Sequence, residues 1–550
     1  MKDGPLEGDD ARLAAMGHRP ELQRSHSTWY EICRSPRAGV DSDCLIGLCW
    51  DWHLQFLTQS WTALSASLSI SLTSGGSTSV IWGLVTAGFC NLCIACSLAE
   101  FLSAYPTAGG QYHWVAAIAW PRTVPILSWI TGWINVAGWV ALVATNSLLS
   151  SQLIVGVISV LHESYVPQRW HQFLIYIGLT LGSFIINAFM NSILPIIYRG
   201  AFMWSIGGFV VVSITVLACA SPNYNSAYFV FCNFINTTGW PDGVAWLLGL
   251  LQGGLGVTAF KSLNYYTEVP NADVEGPKIM VSCVGIGTVT GSIFLIVLLF
   301  VAGNMEKVAT SAAGPLLQIL IDATQSNAGA ICLLMLPLVC LVFAIISVMT
   351  TSSRMIFAFA RYIFHNQTSE HQLILLYRDG GLPASRFFAT VHPTLKIPLN
   401  ALILSVVVVI AFGCIFLGSS SAFNAIISAS VVALDLSYGI PIAINCLQGR
   451  NSLPERKWKL PNAVGWFADM VALSYIILTT VLFVFPPSRT VTGSSMNYCI
   501  AAFAVIIIIS VFQWIVDGRK NFTGPRIDMT IDALDIMPTR QELESDMHEK

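Results

Sequence analysis

Twelve apolar stretches recur between residues 54 and 516, at 54–73, 79–99, 125–148, 171–190, 201–220, 244–263, 279–302, 328–350, 398–417, 422–446, 464–485 and 496–516. Each is close to the roughly 20 residues with which an α-helix crosses a bilayer. In hydrocarbon every backbone amide must be satisfied within the protein, so stretches of this length are expected to be helical. The fold class expected is therefore all-α integral membrane, with about twelve transmembrane helices. Composition agrees. The chain is 54% hydrophobic and 10% charged, against roughly 25% charged in a soluble protein. That leaves too little charge to cover a water-facing surface, so the lipid bilayer is the expected surrounding. A net charge of −3 gives no basis for a nucleic-acid partner.

The order of segments follows from the same pattern. Residues 1–53 are mostly polar and read as a disordered cytoplasmic tail, 54–516 as the transmembrane domain and 517–550 as a second cytoplasmic tail. Basic residues set the orientation. With the N-terminal tail inside, 23 of the 27 Lys and Arg residues fall on the cytoplasmic side; Arg169, Lys307 and Arg489 fall outside, and Lys261 lies within the sixth stretch. The first 40 residues show no signal peptide, and the first apolar stretch is expected to serve in targeting. The 14 cysteines lie mostly inside apolar stretches, Cys90, Cys93 and Cys96 among them, and read as small apolar residues. No disulfide framework, metal or cofactor is expected. In the outer loop 221–242, Asn236-Thr237-Thr238 matches a glycosylation acceptor.

Two stretches are unlike the others. The first is crowded with hydroxyls, including Ser60, Thr62, Ser65, Ser67, Ser69 and Ser71; the sixth carries Gly249, Gly253, Gly254 and Gly256 ahead of Lys261, Asn264, Tyr265 and Tyr266. Interrupted membrane helices place substrate sites near the midplane, where freed amides and carbonyls meet carboxylates and cations. The candidate substrate-binding residues are Trp61, Thr62, Ser65, Gly256, Phe260, Lys261 and Asn264. Small-residue helix packing is the competing explanation of the glycines. Intramembrane charges need a partner or a wet cavity. Asp435 is a candidate proton or cation site or a structural hydrogen-bonding group, and Glu100, nearer the inner interface, a structural or gating residue.

Residues 97–114 read SLAEFLSAYPTAGGQYHW: an apolar end, an acid, a Pro/Gly break and an aromatic restart. This segment resembles the A-E-x-x-S-x-x-P-T-[AS]-G-G-Q-Y-x-W signature of the fungal amino acid/choline permeases, within the amino acid–polyamine–organocation transporter superfamily. Further likenesses are Gln59-Ser60-Trp61 with Gly75-Gly76, Ile130-Thr131-Gly132-Trp133, Ser353-Arg354-Met355 with Phe357–Arg361, Asp379–Pro383, and Gly518-Arg519-Lys520 with Gly524-Pro525. The resemblance implies a five-plus-five inverted-repeat fold with two added helices. It also implies a proton-coupled permease or exchanger for amino acids, related amines or choline-like compounds, expected in the plasma membrane, with a vacuolar or other internal membrane as the alternative.

The chain departs from the family at two places. Where relatives carry an acid and then a His in the sixth span, this chain has Lys261 and Tyr265. A buried ammonium repels cations and favours anions, so carboxylate-bearing substrates are expected over choline-like ones, with Lys261 on the carboxylate, paired to Asp435, or snorkelling to the interface. Second, Tyr362–Arg378 separates the halves of an otherwise matching FAFAR-DGGLP. Its seventeen codons keep the reading frame, which suggests a retained intron, with a genuine insertion as the alternative. No phosphate-binding loop is visible, nor the converging His, Cys and acids of an enzyme. A non-transporting nutrient sensor on the same scaffold is the remaining rival, which would be expected to carry longer cytoplasmic extensions.

Overall fold

The computed structural model describes residues 60–522, apart from 108, 163, 259–271, 361, 365–375, 379–380, 419–421, 490 and 492–495. Three of the expected site residues, Phe260, Lys261 and Asn264, lie outside the described residues, as do the N-terminal tail and the chain beyond 522.

The first apolar stretch forms two short helices, α1 (Ser60–Ala66) and α2 (Leu68–Thr73). Then come α3 (Gly76–Ala104), α4 (Gln111–Ile118), α5 (Val124–Leu161), α6 (Arg169–Phe189), α7 (Leu194–Ala220), α8 (Ala227–Cys232) and α9 (Asp242–Thr258). The second half comprises α10 (Ala272–Val301), α11 (Met305–Thr310), α12 (Pro315–Thr324) and α13 (Asn327–Ala360), followed by strands β1 (Tyr362–Phe364) and β2 (Leu376–Arg378). It ends with α14 (Ser385–Phe388), α15 (Leu399–Gly418), α16 (Ala422–Leu447), α17 (Asn462–Leu482) and α18 (Cys499–Gln513). Among the described residues ten helices are long and apolar enough to cross a membrane. The α1–α2 pair and α9 fill the remaining two of the twelve expected positions. Arg122, Arg199, Lys396 and Lys457 gather at the end where α3 stops and α5 starts, here the basic end.

The helices pack in two groups. Helices α3 and α10 run together along their length, with α9 against α3 and α1 against α10. In the other group α5 lies against both α13 and α16, with α6 and α15 packed together behind. Helix α17 touches both groups, through α3 and α16. Burial follows: 78% of the apolar core of α5 and 89% of that of α16 is enclosed, against 18% for α18, which is left to face lipid.

The first stretch breaks, as its hydroxyls lead one to expect. Ser67 Oγ donates to the carbonyl of Ala63 at 2.7 Å, and Ser65 Oγ to that of Thr62 at 3.0 Å. Such back-bonds compete with the helix ladder and weaken it locally. The glycines of the sixth stretch behave differently: Gly249, Gly253, Gly254 and Gly256 lie in continuous helix α9, which is described as far as Thr258. Their missing side chains let neighbours approach, as the packing explanation requires. A Cβ on Gly256 would sit 2.4 Å from Leu64 Cγ, and one on Gly253 3.0 Å from Leu84 Cα.

The tightest of these contacts yields a prediction. A Cβ at Gly249 would lie 1.9 Å from Ser79 Oγ and 2.8 Å from the backbone oxygen of Ser74. The hydroxyl can rotate away, but the carbonyl cannot. Gly249→Val is expected to cost about 3 kcal/mol and most of the folded yield. Gel filtration of detergent extracts measures this, with Gly178→Ala, which has nothing within 4 Å, as the control. A normal elution profile for Gly249→Val would contradict the packing assignment.

At the opposite end residues 233–240 fold along 73–78. Gly75 N donates to Ile235 O at 2.8 Å and Thr237 N to Thr73 O at 3.1 Å. Gly76 has φ +62, and a Cβ there would lie 2.9 Å from Ile235 N, so glycine is required on both counts. The amide of Asn236 donates to Trp240 O (2.7 Å) and Asp242 Oδ1 (2.9 Å), and its oxygen accepts from Thr238 Oγ1 (2.7 Å). These bonds hold the loop that carries the expected glycosylation acceptor.

The stretch Tyr362–Arg378 closes on itself. Strands β1 and β2 pair antiparallel, Tyr362 opposite Arg378 and Phe364 opposite Leu376. Beyond them Gly381 N donates to Phe359 O at 3.2 Å. The segments that flank the stretch therefore meet directly.

Candidate functional site

The break in the first stretch lies beside the middle of α9. Gln252 Nε2 donates to Leu64 O at 2.6 Å and Ser71 Oγ to Gly249 O at 2.6 Å. These two bonds bracket Ser67 between antiparallel partners. At the last residue of α9, Thr258 Oγ1 reaches Asp435 Oδ1 of α16 at 3.4 Å. Asp435 is 1% exposed and Thr258 fully buried. A buried carboxylate with a hydroxyl beside it can take up and release a proton.

The other candidate residues take distinct places. Trp61 is 1% exposed and packs on α7 and α10. Its Nε1 donates to Ser205 Oγ at 3.0 Å, and its ring meets those of Phe294 and Phe209 edge-on, with centroids 4.7 Å and 6.1 Å away. It does not line the cavity described next. Thr62 and Ser65 are buried in α1, and Gly256 is covered by Leu64.

Towards the opposite end a cavity of about 270 Å³ opens between α2, α5, α9, α16 and the loop after α17. Ser69, Thr73, Gln152, Leu248, Ser428 and Phe483 are among its lining residues, and none of the described lining residues is charged. Ser69 stands two residues past the break, so the cavity leads from that face towards Ser67.

The basic end is shut by charge. Glu100, near the end of α3, is 1% exposed. It pairs with Arg450 and, at 2.7 Å, with Arg456; its Oε1 also accepts from Leu460 N at 2.9 Å. Arg450 pairs in addition with Asp469 of α17, whose side chain is likewise 1% exposed. Burial works against the Arg450 guanidinium, but the carboxylates of Asp469 and Glu100 outweigh it and hold its proton more tightly than usual. Sequence reasoning singled out Glu100 and missed its partners. Asp469 is an acid inside an apolar stretch, and the rule applied to Asp435 would have found it. Arg450 and Arg456 counted only towards orientation.

A family model described as amino acid permease matches residues 53–363 and 368–512. The four residues it skips lie within Tyr362–Arg378. A protein of Macrophomina phaseolina, provisionally named for amino acid/polyamine transport, is 32% identical over 451 residues, covering 81% of this chain and 96% of its own. The choline transporter of Saccharomyces cerevisiae is 31% identical over 469 residues, with 85% and 80% covered. Amino-acid permease BAT1 of Arabidopsis thaliana is 28% identical over 541 residues, with 94% and 96% covered.

Proposed function

The chain belongs to the amino acid permease family, and from that premise we propose that this multi-pass secondary transporter carries amino acids or related small amines by alternating access, coupled to protons or to exchange. The observation that carries the reading is Asp435, a buried carboxylate hydrogen-bonded to Thr258 of α9, the helix that packs against the broken first span. A group that binds a proton from one face and releases it to the other couples substrate movement to a gradient. The cavity above Ser67 is the route from the outer face, and the charged end, where basic residues gather, is the cytoplasmic one. Thr62, Ser65 and Gly256 are proposed to frame the substrate, with Trp61 bracing α1 from behind. Phe260, Lys261 and Asn264 are proposed for the same site on sequence grounds, Lys261 for the substrate carboxylate. The plasma membrane is the proposed location.

Uptake into proteoliposomes with an imposed pH gradient tests this, on a panel of amino acids, polyamines and choline. Gradient-stimulated uptake of carboxylate-bearing substrates is expected, and Lys261→Ala should weaken it sharply at unchanged incorporation. Uptake of choline alone would overturn the amino acid reading. Binding without uptake of any compound would leave a sensor. Unchanged kinetics in Lys261→Ala would remove that residue from the site.

A further inference from the structure

We propose that Arg450, held between Glu100 and Asp469 with Arg456 beside it, is the latch that closes the basic end of the carrier and must come apart for that end to open. The proposal rests on the transporter reading above and adds to it residues that the sequence left unassigned.

Three observations carry it. The first is where the charges come from. Glu100 belongs to α3, in the group with α9 and α10, whereas Arg450 directly follows α16, in the group built on α5 and α13. Asp469 belongs to α17, which touches both groups. The two pairs of Glu100, with Arg450 and Arg456, therefore cross the seam along which two bodies of an alternating-access carrier would rock.

The second is how Arg450 is placed. It has φ 61 directly after Gly449 at φ 68, and its N donates to Asn445 O at 2.8 Å. A left-handed conformation is strained for any residue that carries a Cβ. The turn spends that strain to tuck the guanidinium back under α16 with a side chain 4% exposed.

The third is the loop between α16 and α17, which is stitched to the other group by polar contacts. Trp458 N donates to Ser103 Oγ at 3.0 Å, Ser103 Oγ to Asp273 O of α10 at 2.8 Å, and Lys457 pairs with Asp273 at 2.9 Å.

The chemistry suits a joint that parts. Buried ion pairs stabilise little compared with apolar packing of the same shape. Water entering an opened seam would hydrate each of these groups. The pairs also specify one register on closing. Meanwhile the cavity of about 270 Å³ at the opposite end is lined by uncharged residues. The molecule is thus closed where the ions are and hollow where they are not.

A cross-link across the seam tests the latch with all four charges in place. Ser103→Cys with Trp458→Cys joins α3 to the loop, on a Cys232→Ser background that removes an exposed thiol of an outer loop. Thr73→Cys in the cavity wall reports access to a charged, membrane-impermeant thiol reagent. Oxidation should lower uptake at least roughly tenfold, reductant should restore it, and labelling at Thr73→Cys should persist. Cross-linked protein, verified by mass spectrometry, that transports at the reduced rate would overturn the proposal. In a separate arm, Arg450→Gln should reduce labelling at Thr73→Cys several-fold as the population shifts towards the state open at the basic end; unchanged labelling in folded protein would also overturn it. Wild-type protein without uptake would defeat the transporter reading instead, and the two labelling arms would still judge the latch.

Discussion

Arg450→Met is expected to cost the folded protein about 3–5 kcal/mol. Its guanidinium serves two carboxylates, Glu100 and Asp469, each 1% exposed at the side chain. Methionine fills much the same volume, so the loss is electrostatic. It leaves Asp469 with Cys446 Sγ at 3.5 Å and no cation among its described ion pairs. Glu100 keeps Arg456 and the amide of Leu460. An unmatched buried carboxylate is the costly species, and taking it away should restore stability. Arg450→Met combined with Asp469→Asn should therefore recover much of the loss. Thermal unfolding in detergent, followed by tryptophan fluorescence, compares the three proteins. A single variant within about 1 kcal/mol of the parent, the size of an exposed pair, would mean that water reaches the cluster. Failure of the double variant to recover would place the cost in packing.

Asp435→Asn is expected to abolish gradient-driven uptake while leaving substrate binding in place. Asparagine keeps the shape of the side chain and can still meet Thr258 Oγ1, now 3.4 Å from Asp435 Oδ1. What it cannot do is take up and release a proton. Couplings between two ligands are typically about 1–3 kcal/mol, or roughly 5–150-fold in affinity, and this variant should lose the whole of it. Wild-type uptake should rise as the outer pH falls, because protonation from that face loads the site. Uptake by the Asn variant should be flat across the same range. Proteoliposome uptake at several fixed outer pH values reads this directly. A variant that still follows the gradient would assign Asp435 to structure and move the coupling elsewhere.

How far the sequence could be read depended on the kind of signal. Span positions are set by the length and hydropathy of local runs, so ten long helices and the broken first span fall where the apolar stretches lie. The hydroxyls that weaken the first span act within a turn of themselves, through Ser65 and Ser67, and so were visible too. The glycines of α9 were ambiguous, since the same residues permit an unwound segment and a close helix contact. Only the neighbours, Leu64, Ser79 and Leu84, decide between these, and they are distant in the chain. The ion cluster was illegible for the same reason. Glu100 and Arg450 are 350 residues apart, and what joins them is the turn after α16 and the packing of α17. Trp61 shows the limit from the other side: an aromatic in a broken span invites a role as pocket wall, while the hydrogen bond that anchors it to Ser205 of α7, 144 residues away, is not legible in the sequence.

The hairpin at 362–378 gives the molecule an attachment point. Opposed residues of an antiparallel pair sit about 4.5–5.5 Å apart, so the chain departs from Phe364 and returns at Leu376 through a gap of that order. A compact reporter domain whose own termini lie close together could replace the tip without stretching α13 or α14. Fused there, a fluorescent protein would ride on the helix group that carries α16, and a second fluorophore on the α3 group would turn the rocking of one group against the other into an optical distance.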